Sequence, residues 1–277
     1  MKAWNRSVLL GGLAALLLAA PADAQTCKSP VPDSALIKPG TLVMSTNPTL
    51  PPLQFVNAQG ELKGMRVELG EEIAKRLCLK AEYIRIEFSA MVPGLQAGRW
   101  DMINTGIFFT EERAKIMQMI PYESQAISIS VGAADKGKVT KPEDLAGKSV
   151  GVEIGGFEER KIKELDAELT KKGLSPITIR TFDNFATAYQ ALRAGQVEGV
   201  VSIDGVAKQY QDRGDFAHAV SGLFPTPVAL AFAKKPLAEE VLKVLNAMKA
   251  DGSFEKLFAS YGVVPAAGEL AIKGPAS

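Results

Sequence analysis

The chain has 277 residues, 47% hydrophobic, 23% charged and 7% aromatic, with 32 Lys and Arg set against 31 Asp and Glu, two cysteines and one histidine. That balance excludes a disordered or collagen-like chain, a disulfide-stapled miniprotein and a basic nucleic-acid binder, which needs surplus positive charge to neutralise phosphates. A zinc site built from Cys and His is nearly excluded, and every His-dependent triad would fall on His218, which has no nucleophile motif nearby and reads as a surface or boundary histidine.

Lys2 and Arg6 precede an apolar run from residue 8 to residue 20, and Ala22-Asp23-Ala24 closes it with small residues at the −3 and −1 positions. This reads as a secretory signal peptide over residues 1–24, cleaved after Ala24, because the run is well short of the roughly 20 residues that span a bilayer. Cleavage removes two basic residues and one acidic residue, leaving a formally neutral mature chain. In an oxidising compartment Cys27 and Cys78 either form one bridge or remain a disordered and a buried thiol; the sequence leaves both readings open.

Residues 41–45 read as a short buried strand, followed by a proline-rich extended loop at 48–52. A helix is expected over 66–79, with Met65, Leu69, Ile73 and Leu77 on one stripe and Glu71, Glu72, Lys75 and Arg76 on the rest. A strand at 81–88, a short helix at 90–97 and a strand at 100–106 follow, an order that implies a parallel sheet with crossover helices. The order restarts with a strand at 149–153, a helix at 157–172, a strand at 177–181, a helix at 185–194 capped by Asp183, and a strand at 197–203. The extended stretches 126–131 and 228–233 connect the two halves, placing hinges near Val131 and Ala229, and helices at 236–250 and 253–261 close the chain. The expected organisation is an α/β fold of two lobes, one discontinuous over 36–130 and 228–262 and one inserted at 131–227, with a frayed tail at 263–277.

Several pieces occur in order along residues 41–261: Pro51-Pro52-Leu53-Gln54-Phe55, Gly60-Glu61-Leu62-Lys63-Gly64-Met65-Arg66-Val67-Glu68-Leu69 and Met91-Val92-Pro93-Gly94-Leu95-Gln96-Ala97-Gly98-Arg99-Trp100-Asp101. Thr110-Glu111-Glu112-Arg113-Ala114, Pro121-Tyr122, Glu143-Asp144-Leu145-Ala146-Gly147-Lys148 and Ala191-Leu192-Arg193-Ala194-Gly195-Gln196-Val197-Glu198 continue the set. With them the chain resembles the periplasmic solute-binding proteins of the polar amino-acid type that serve ABC importers. The resemblance implies a two-lobed periplasmic binding protein of the type II kind, with parallel-rich sheets flanked by helices and two hinge crossings. It further implies a monomer that carries an amino acid or related carboxylated solute to an inner-membrane permease, with no cofactor, no metal and no nucleic acid.

Arg113 is the first candidate contact, because Thr110 as N-cap sets it in the first turn of a helix at the carboxyl edge of a sheet, where a guanidinium can grip a carboxylate with two parallel bonds. Its alternative is an ion pair with Glu111 or Glu112. Asp204 is the candidate for a ligand ammonium, although the resemblance places that acid one residue earlier, where Ile203 stands; its alternative is the N-cap of a helix over 205–211. Phe88 is expected to form one wall and Phe55 to lie near the other, each with plain core packing as its alternative. Thr105 and Gly106 are expected to supply hydroxyl and backbone contacts, and the backbone at Gly155-Gly156 an anion-receptive helix start. Leu50 replaces a common aromatic, Phe108 a hydroxyl that bonds the carboxylate, and Gly156 a second such hydroxyl, so the pocket is expected to be more apolar than that of a basic amino-acid binder. A cyclohexadienyl dehydratase on the same scaffold is the competing reading, with Glu153, Glu158 and Asp204 as available acids and Glu158 read as a solvated surface residue.

Overall fold

The computed structural model describes Met1 and residues 27–275; the leader expected over 1–24 lies, Met1 apart, outside the described residues. In chain order the first lobe contains β1 (Thr41–Thr46), β2 (Thr49–Leu50), β3 (Gln54–Val56), β4 (Leu62–Lys63), α1 (Met65–Arg76), β5 (Lys80–Arg85), α2 (Met91–Gln96), β6 (Met102–Phe108) and α3 (Glu111–Ala114). β7 (Gln118–Gly132) passes to the second lobe, built from β8 (Ser149–Glu153), α4 (Phe157–Lys171), β9 (Thr178–Phe182), α5 (Phe185–Arg193), β10 (Gly199–Ile203) and α6 (Asp204–Asp212). β11 (Phe216–Phe232) returns, and α7 (Lys235–Ala250), α8 (Ser253–Ser260) and β12 (Val264–Pro265) complete the first lobe.

One sheet runs through both lobes in the order β5-β1-β6-β11-β7-β10-β8-β9, and β2-β3-β4 form a small separate sheet. β1 is parallel to β5 and β6, and β8 is parallel to β9 and β10, so each lobe has the βαβ arrangement that the alternating elements imply. β1, β6 and β10 are buried along their whole lengths, so none shows the polar–apolar alternation of a half-exposed strand. On α1 the stripe of Met65, Leu69 and Ile73 is fully buried, while Glu71 and Lys75 of the same helix face water.

Three expectations change. The hinges do not lie at Val131 and Ala229: Val131 pairs with Gly199 and Ala217 inside the second lobe, and Ala229 pairs with Ile107 and Pro121 inside the first. β7 and β11 pair at 118–125 with 226–232 in one lobe and at 127–132 with 216–223 in the other, and the register breaks between Leu223 and Thr226. The crossings therefore sit near Ala126 and at 223–226, where Phe224 takes a positive φ of 50°. The strands were read too short because hydrophobic patterning fades where a strand leaves one core and has not entered the next. Second, the segment expected to fray is docked as far as residue 275: β12 pairs with Glu123 and Ser124, Lys273 exchanges backbone bonds with Met119, and Leu270 is buried. Third, the cap of α5 is Asn184, whose side chain accepts from the Thr187 N–H, one residue beyond Asp183.

Cys27 and Cys78 are bridged, with their Cα atoms 5.6 Å apart, tying the segment before β1 to the end of α1 across 51 residues of sequence. Closing a loop of that length restricts the unfolded chain by roughly 2–4 kcal/mol. The double variant Cys27→Ser/Cys78→Ser is expected to lower the melting temperature by several degrees, and thiol titration of the denatured native chain without reductant is expected to find no free thiol. Reactive thiol in that assay, or an unchanged melting temperature, would count against the bridge as a stabilising element.

Candidate functional site

The floor of the cleft is set by a buried ion pair. Arg66, in the first turn of α1, donates from Nε and Nη2 to the two carboxylate oxygens of Glu123 at 3.0 and 2.9 Å, and both side chains are fully shielded from water. Its remaining Nη1 donates to Gln54 Oε1 at 3.1 Å and to the Thr105 carbonyl at 2.7 Å. Gly106 lies directly over the guanidinium with φ +75°, and a Cβ there would stand 2.0 Å from Arg66 Cζ, so both the backbone conformation and the space require glycine. The Thr105 hydroxyl accepts from the Asn47 N–H at 3.0 Å and from Gln54 Nε2 at 2.9 Å. Thr105 and Gly106 thus form a fixed floor at the carboxyl end of β6.

Above that floor the carboxyl ends of the parallel strands converge from both lobes, the position where open α/β sheets bind ligands. The lobes are closed on a cavity of about 20 Å³, room for about one water molecule. Asn47, Leu50, Phe88, Thr105, Gly106 and Phe108 line it from the first lobe, and Glu153, Phe157, Glu158 and Ile203 from the second. Phe108 stacks on Phe157 across the closure with ring centroids 4.4 Å apart. Asn47 Nδ2 donates to Glu153 Oε1 at 2.8 Å, and Asn184 Nδ2 donates to Glu87 Oε1 at 3.2 Å, so polar contacts also join the lobes.

The structure places Leu50, Phe88, Thr105, Gly106 and Phe108 on this cavity, whereas Phe55 is half-buried on β3 away from it. Arg113 sits just outside. Thr110 caps α3 by accepting from the Arg113 N–H, and the guanidinium donates from Nη1 to the Phe108 carbonyl at 2.8 Å and from Nη2 to the Gly155 carbonyl of the opposite lobe at 3.3 Å. It also lies 5.4 Å from the centre of the Phe88 ring. Burial, opposed by the Glu158 charge, draws its pKa down to about 10, so it stays a cation at neutral pH. Together with Gly156 it lines a neighbouring groove of about 640 Å³ that also holds Gly155, Glu159 and Arg160.

Asp204, the expected ammonium partner, does not line this cavity. Ile203, the last residue of β10, lines the cavity, and the next residue already belongs to α6. Asp204 opens α6, hydrogen-bonds Ser128 and receives the Gly222 N–H, so the N-cap alternative does not describe it either: the cap position is Ile203. It lines a separate cavity on the side of the crossings with His218, which is half-buried beside the same Ser128 hydroxyl.

The acids that do face the cleft are Glu153 and Glu158, 4% and 2% exposed, which overturns the solvated-surface reading of Glu158. Burial first, then the charges of Glu158 and Glu87, push the Glu153 carboxyl well above the usual carboxylate range, against its bond from Asn47. Burial likewise pushes Glu158 up to about 7, opposed by its own backbone N–H and by Arg113. The walls are apolar, as Leu50, Phe88, Phe108, Phe157 and Ile203 make them, but two of the acids available to the competing dehydratase reading, Glu153 and Glu158, share them. Glu153 and Glu158 flank Gly155-Gly156 at a strand-to-helix turn, and that bracketing of an expected anion-receptive backbone by two acids is the signal in the sequence that pointed to them.

The sequence profile of the bacterial extracellular solute-binding proteins, family 3, matches residues 42–264. The L-cystine-binding protein TcyJ of Escherichia coli (strain K12) is 27% identical over 261 residues, covering 91% of this chain and 94% of that protein. The histidine-binding periplasmic protein of the same strain is 28% identical over 235 residues, covering 80% and 88%. Among solved structures, an ancestral arginine-binding protein bound to glutamine superposes with a TM-score of 0.73 at 32% identity, covering 81% of this chain and 98% of that one. The ancestral amino acid-binding protein AncCDT-1, a precursor of cyclohexadienyl dehydratase, superposes with a TM-score of 0.72 at 29% identity, covering 80% and 95%.

Two measurements check the site's electrostatics. Glu123→Ala leaves the Arg66 charge buried without its partner and is expected to cost about 3–5 kcal/mol in unfolding free energy, with Arg66→Met/Glu123→Leu recovering most of it; equal losses in both variants would contradict the ion-pair account. Because Glu153 and Glu158 have raised pKa values in the folded ligand-free chain, their protonated forms favour folding. That contribution is complete below the ordinary value of 4.5 and is lost as pH rises through about 7 at Glu158. The ligand-free melting temperature is expected to fall by a few degrees from about pH 5 to about pH 8, and Glu158→Gln to flatten the slope. A slope undiminished by Glu158→Gln would rule out this assignment.

Proposed function

The chain belongs to the bacterial extracellular solute-binding proteins of family 3, and on that premise we propose that it is the solute receptor of an ABC importer. It binds an amino acid or related carboxylated solute between its lobes and presents the closed form to an inner-membrane permease. The carrying observation is the cavity whose walls come from both lobes, so that a bound solute joins them. Closure is then a population shift driven by contacts that exist only in the closed state. The names of the relatives, binders of cystine, histidine and arginine, support an amino-acid-like solute. Cleavage after Ala24 delivers the mature chain to the periplasm as a monomer.

In this reading Arg113 receives the solute carboxylate. Its guanidinium now spends its N–H groups on the Phe108 and Gly155 carbonyls, and a carboxylate entering from the neighbouring groove replaces neutral acceptors by a charged one, the stronger partner. A protein of this kind needs no turnover, and the reading is of a carrier, not an enzyme. The dehydratase alternative draws on one neighbour, the precursor AncCDT-1, and on a buried acid, Glu158, poised near neutrality.

A thermal-shift screen of amino acids and carboxylates tests both. A carboxylated solute is expected to raise the melting temperature by several degrees at a thousandfold excess over its dissociation constant, an effect of about 4 kcal/mol, without being consumed. Arg113→Ala is expected to weaken that solute by about 10- to 100-fold. Unchanged affinity in Arg113→Ala would remove the carboxylate assignment, and product formation from a cyclohexadienyl substrate would replace the carrier by the enzyme.

A further inference from the structure

We propose that Asp204 is the second-lobe anchor of the hinge: its carboxylate ties both crossing strands to that lobe, confines the bend to a few residues and so sets how readily the cleft closes on a solute. Asp204 does not line the cavity between the lobes, so it is a positioning residue that acts through the crossings. The inference rests on the carrier reading and adds a control on the same cleft.

The first observation is slack in the returning strand. From His218 to Thr226 β11 advances eight residues, while β7 opposite advances five, from Ser130 to Gln125, so the returning crossing carries three surplus residues. Gly222 and Phe224, with φ of +70° and +50°, lie inside this stretch, and neither has a Cα partner on β7. Surplus residues in one strand of a pair leave ladder bonds unmade and bend the strand there. The crossings are also backed by open space rather than core. Gln125, Ala126, Pro225 and Thr226 line a cavity of about 760 Å³ that Asp204 and His218 bound from the second lobe. Slack of this kind, left untied, lets the second lobe take up many orientations, and each is given up when the lobes close.

The second observation is the tie. The N–H of Gly222, within the surplus, donates to both Asp204 oxygens at 3.3 Å. The Ser128 hydroxyl, on β7 two residues beyond Ala126, donates to Asp204 Oδ1. Ser128 has one hydroxyl proton and gives it to the carboxylate, so the Nε2–H of His218, on β11, is the donor to Ser128 Oγ. One carboxylate thereby gathers β7, β11 and the start of α6. Ser128 is itself fully buried and pairs with Ser202 of β10, which carries the tie into the second lobe. Lys208, one turn further along α6, is engaged with Asp212 at 2.7 Å. The first lobe has a counterpart in Glu123, which is held by Arg66, pairs with Val228 of β11 and accepts from Gln125 Nε2. The bend falls between these two carboxylates, over residues 124–127 of β7 and 223–227 of β11.

Hydrogen exchange of the full mature chain without solute, read by mass spectrometry, tests the anchor. Asp204→Ala is expected to speed exchange at least 10-fold in peptides covering 126–128 and 219–226, with β8 and β10 unchanged, and to raise the ligand-free radius of gyration in X-ray scattering. Asp204→Asn keeps one acceptor oxygen and is expected to fall between native and Ala. Isothermal titration with L-arginine, L-histidine, L-cystine and L-glutamine adds the functional arm. Each of these that binds the native chain is expected to bind Asp204→Ala about 5- to 30-fold more weakly, the cost of fixing the backbone of one further residue on closure. The ratios among solutes are expected to hold, because Asp204 touches none of them. Should Asp204→Ala fail to fold, Ser128→Ala removes the β7 arm alone and is read in the same way at 126–128. Exchange that rises throughout the second lobe makes Asp204 a stabiliser of that lobe and overturns the anchor. Altered ratios, or native exchange and affinity in Asp204→Ala, overturn it too. Failure of all four solutes to bind the native chain counts against the amino-acid carrier, while the ligand-free exchange still decides the anchor.

Discussion

The Arg66–Glu123 ion pair is the contact on which the geometry of the cleft depends. Taking both charges out of water is expensive, and the structure offsets that cost by giving the guanidinium four hydrogen bonds: two to Glu123, one to Gln54 and one to the Thr105 carbonyl. Four elements are thereby held at one point, since Arg66 lies in the first turn of α1, Gln54 begins β3, Thr105 lies on β6 and Glu123 lies on β7 just before it crosses between lobes. The pair contributes placement more than stability. It fixes the cleft floor relative to the strand that must bend when the lobes move, and glycine at 106 follows from it because no side chain fits above the guanidinium.

From that fixed floor, closure is a matter of weak contacts. The lobes meet through one stacked phenylalanine pair, the Asn47–Glu153 bond, the Arg113 bond to Gly155 and ion pairs at the rim such as Arg160–Glu112. An exposed ion pair contributes between nothing and about 1 kcal/mol, and the buried contacts only a little more. The long β7–β11 pair links the lobes covalently and by backbone bonds, and one of its register shifts falls at the crossing, between Leu223 and Thr226. A shallow balance of this kind is what a receptor needs, because a solute can shift it only by the difference in its affinity for the two states.

Most of the fold was legible because burial on a sheet or a helix leaves a period in the sequence. The stripe Met65, Leu69, Ile73 of α1 and the full burial of β1 and β10 are direct consequences of packing against one core. What the period does not carry is the plane in which a single side chain ends. Ile203 and Asp204 are adjacent, and which of them entered the cleft depended on where β10 stops and α6 starts, a boundary set by tertiary contacts with Ser128 and Gly222 that no local pattern announces. Glu158 was misread for the same reason: a glutamate in a first helical turn is ordinary on a surface, and only the closing of the opposite lobe, with Phe108 against Phe157, makes it buried. The crossings were displaced by several residues because a strand shared by two cores shows the pattern of each and the boundary of neither.

The neutrality of the whole chain conceals a local asymmetry that bears on recognition. Thirty-two basic and thirty-one acidic residues cancel at long range, so no net field draws a solute of either sign. Inside the cleft the balance is different: the second lobe brings two carboxyls and gives up the side chain at Gly156, while the first lobe brings Asn47 and the rings of Phe88 and Phe108. Screening by salt acts on the exposed charges and hardly reaches the buried ones. Inside the closed cavity, beyond the reach of that screening, desolvation makes each missing or added hydrogen bond count most.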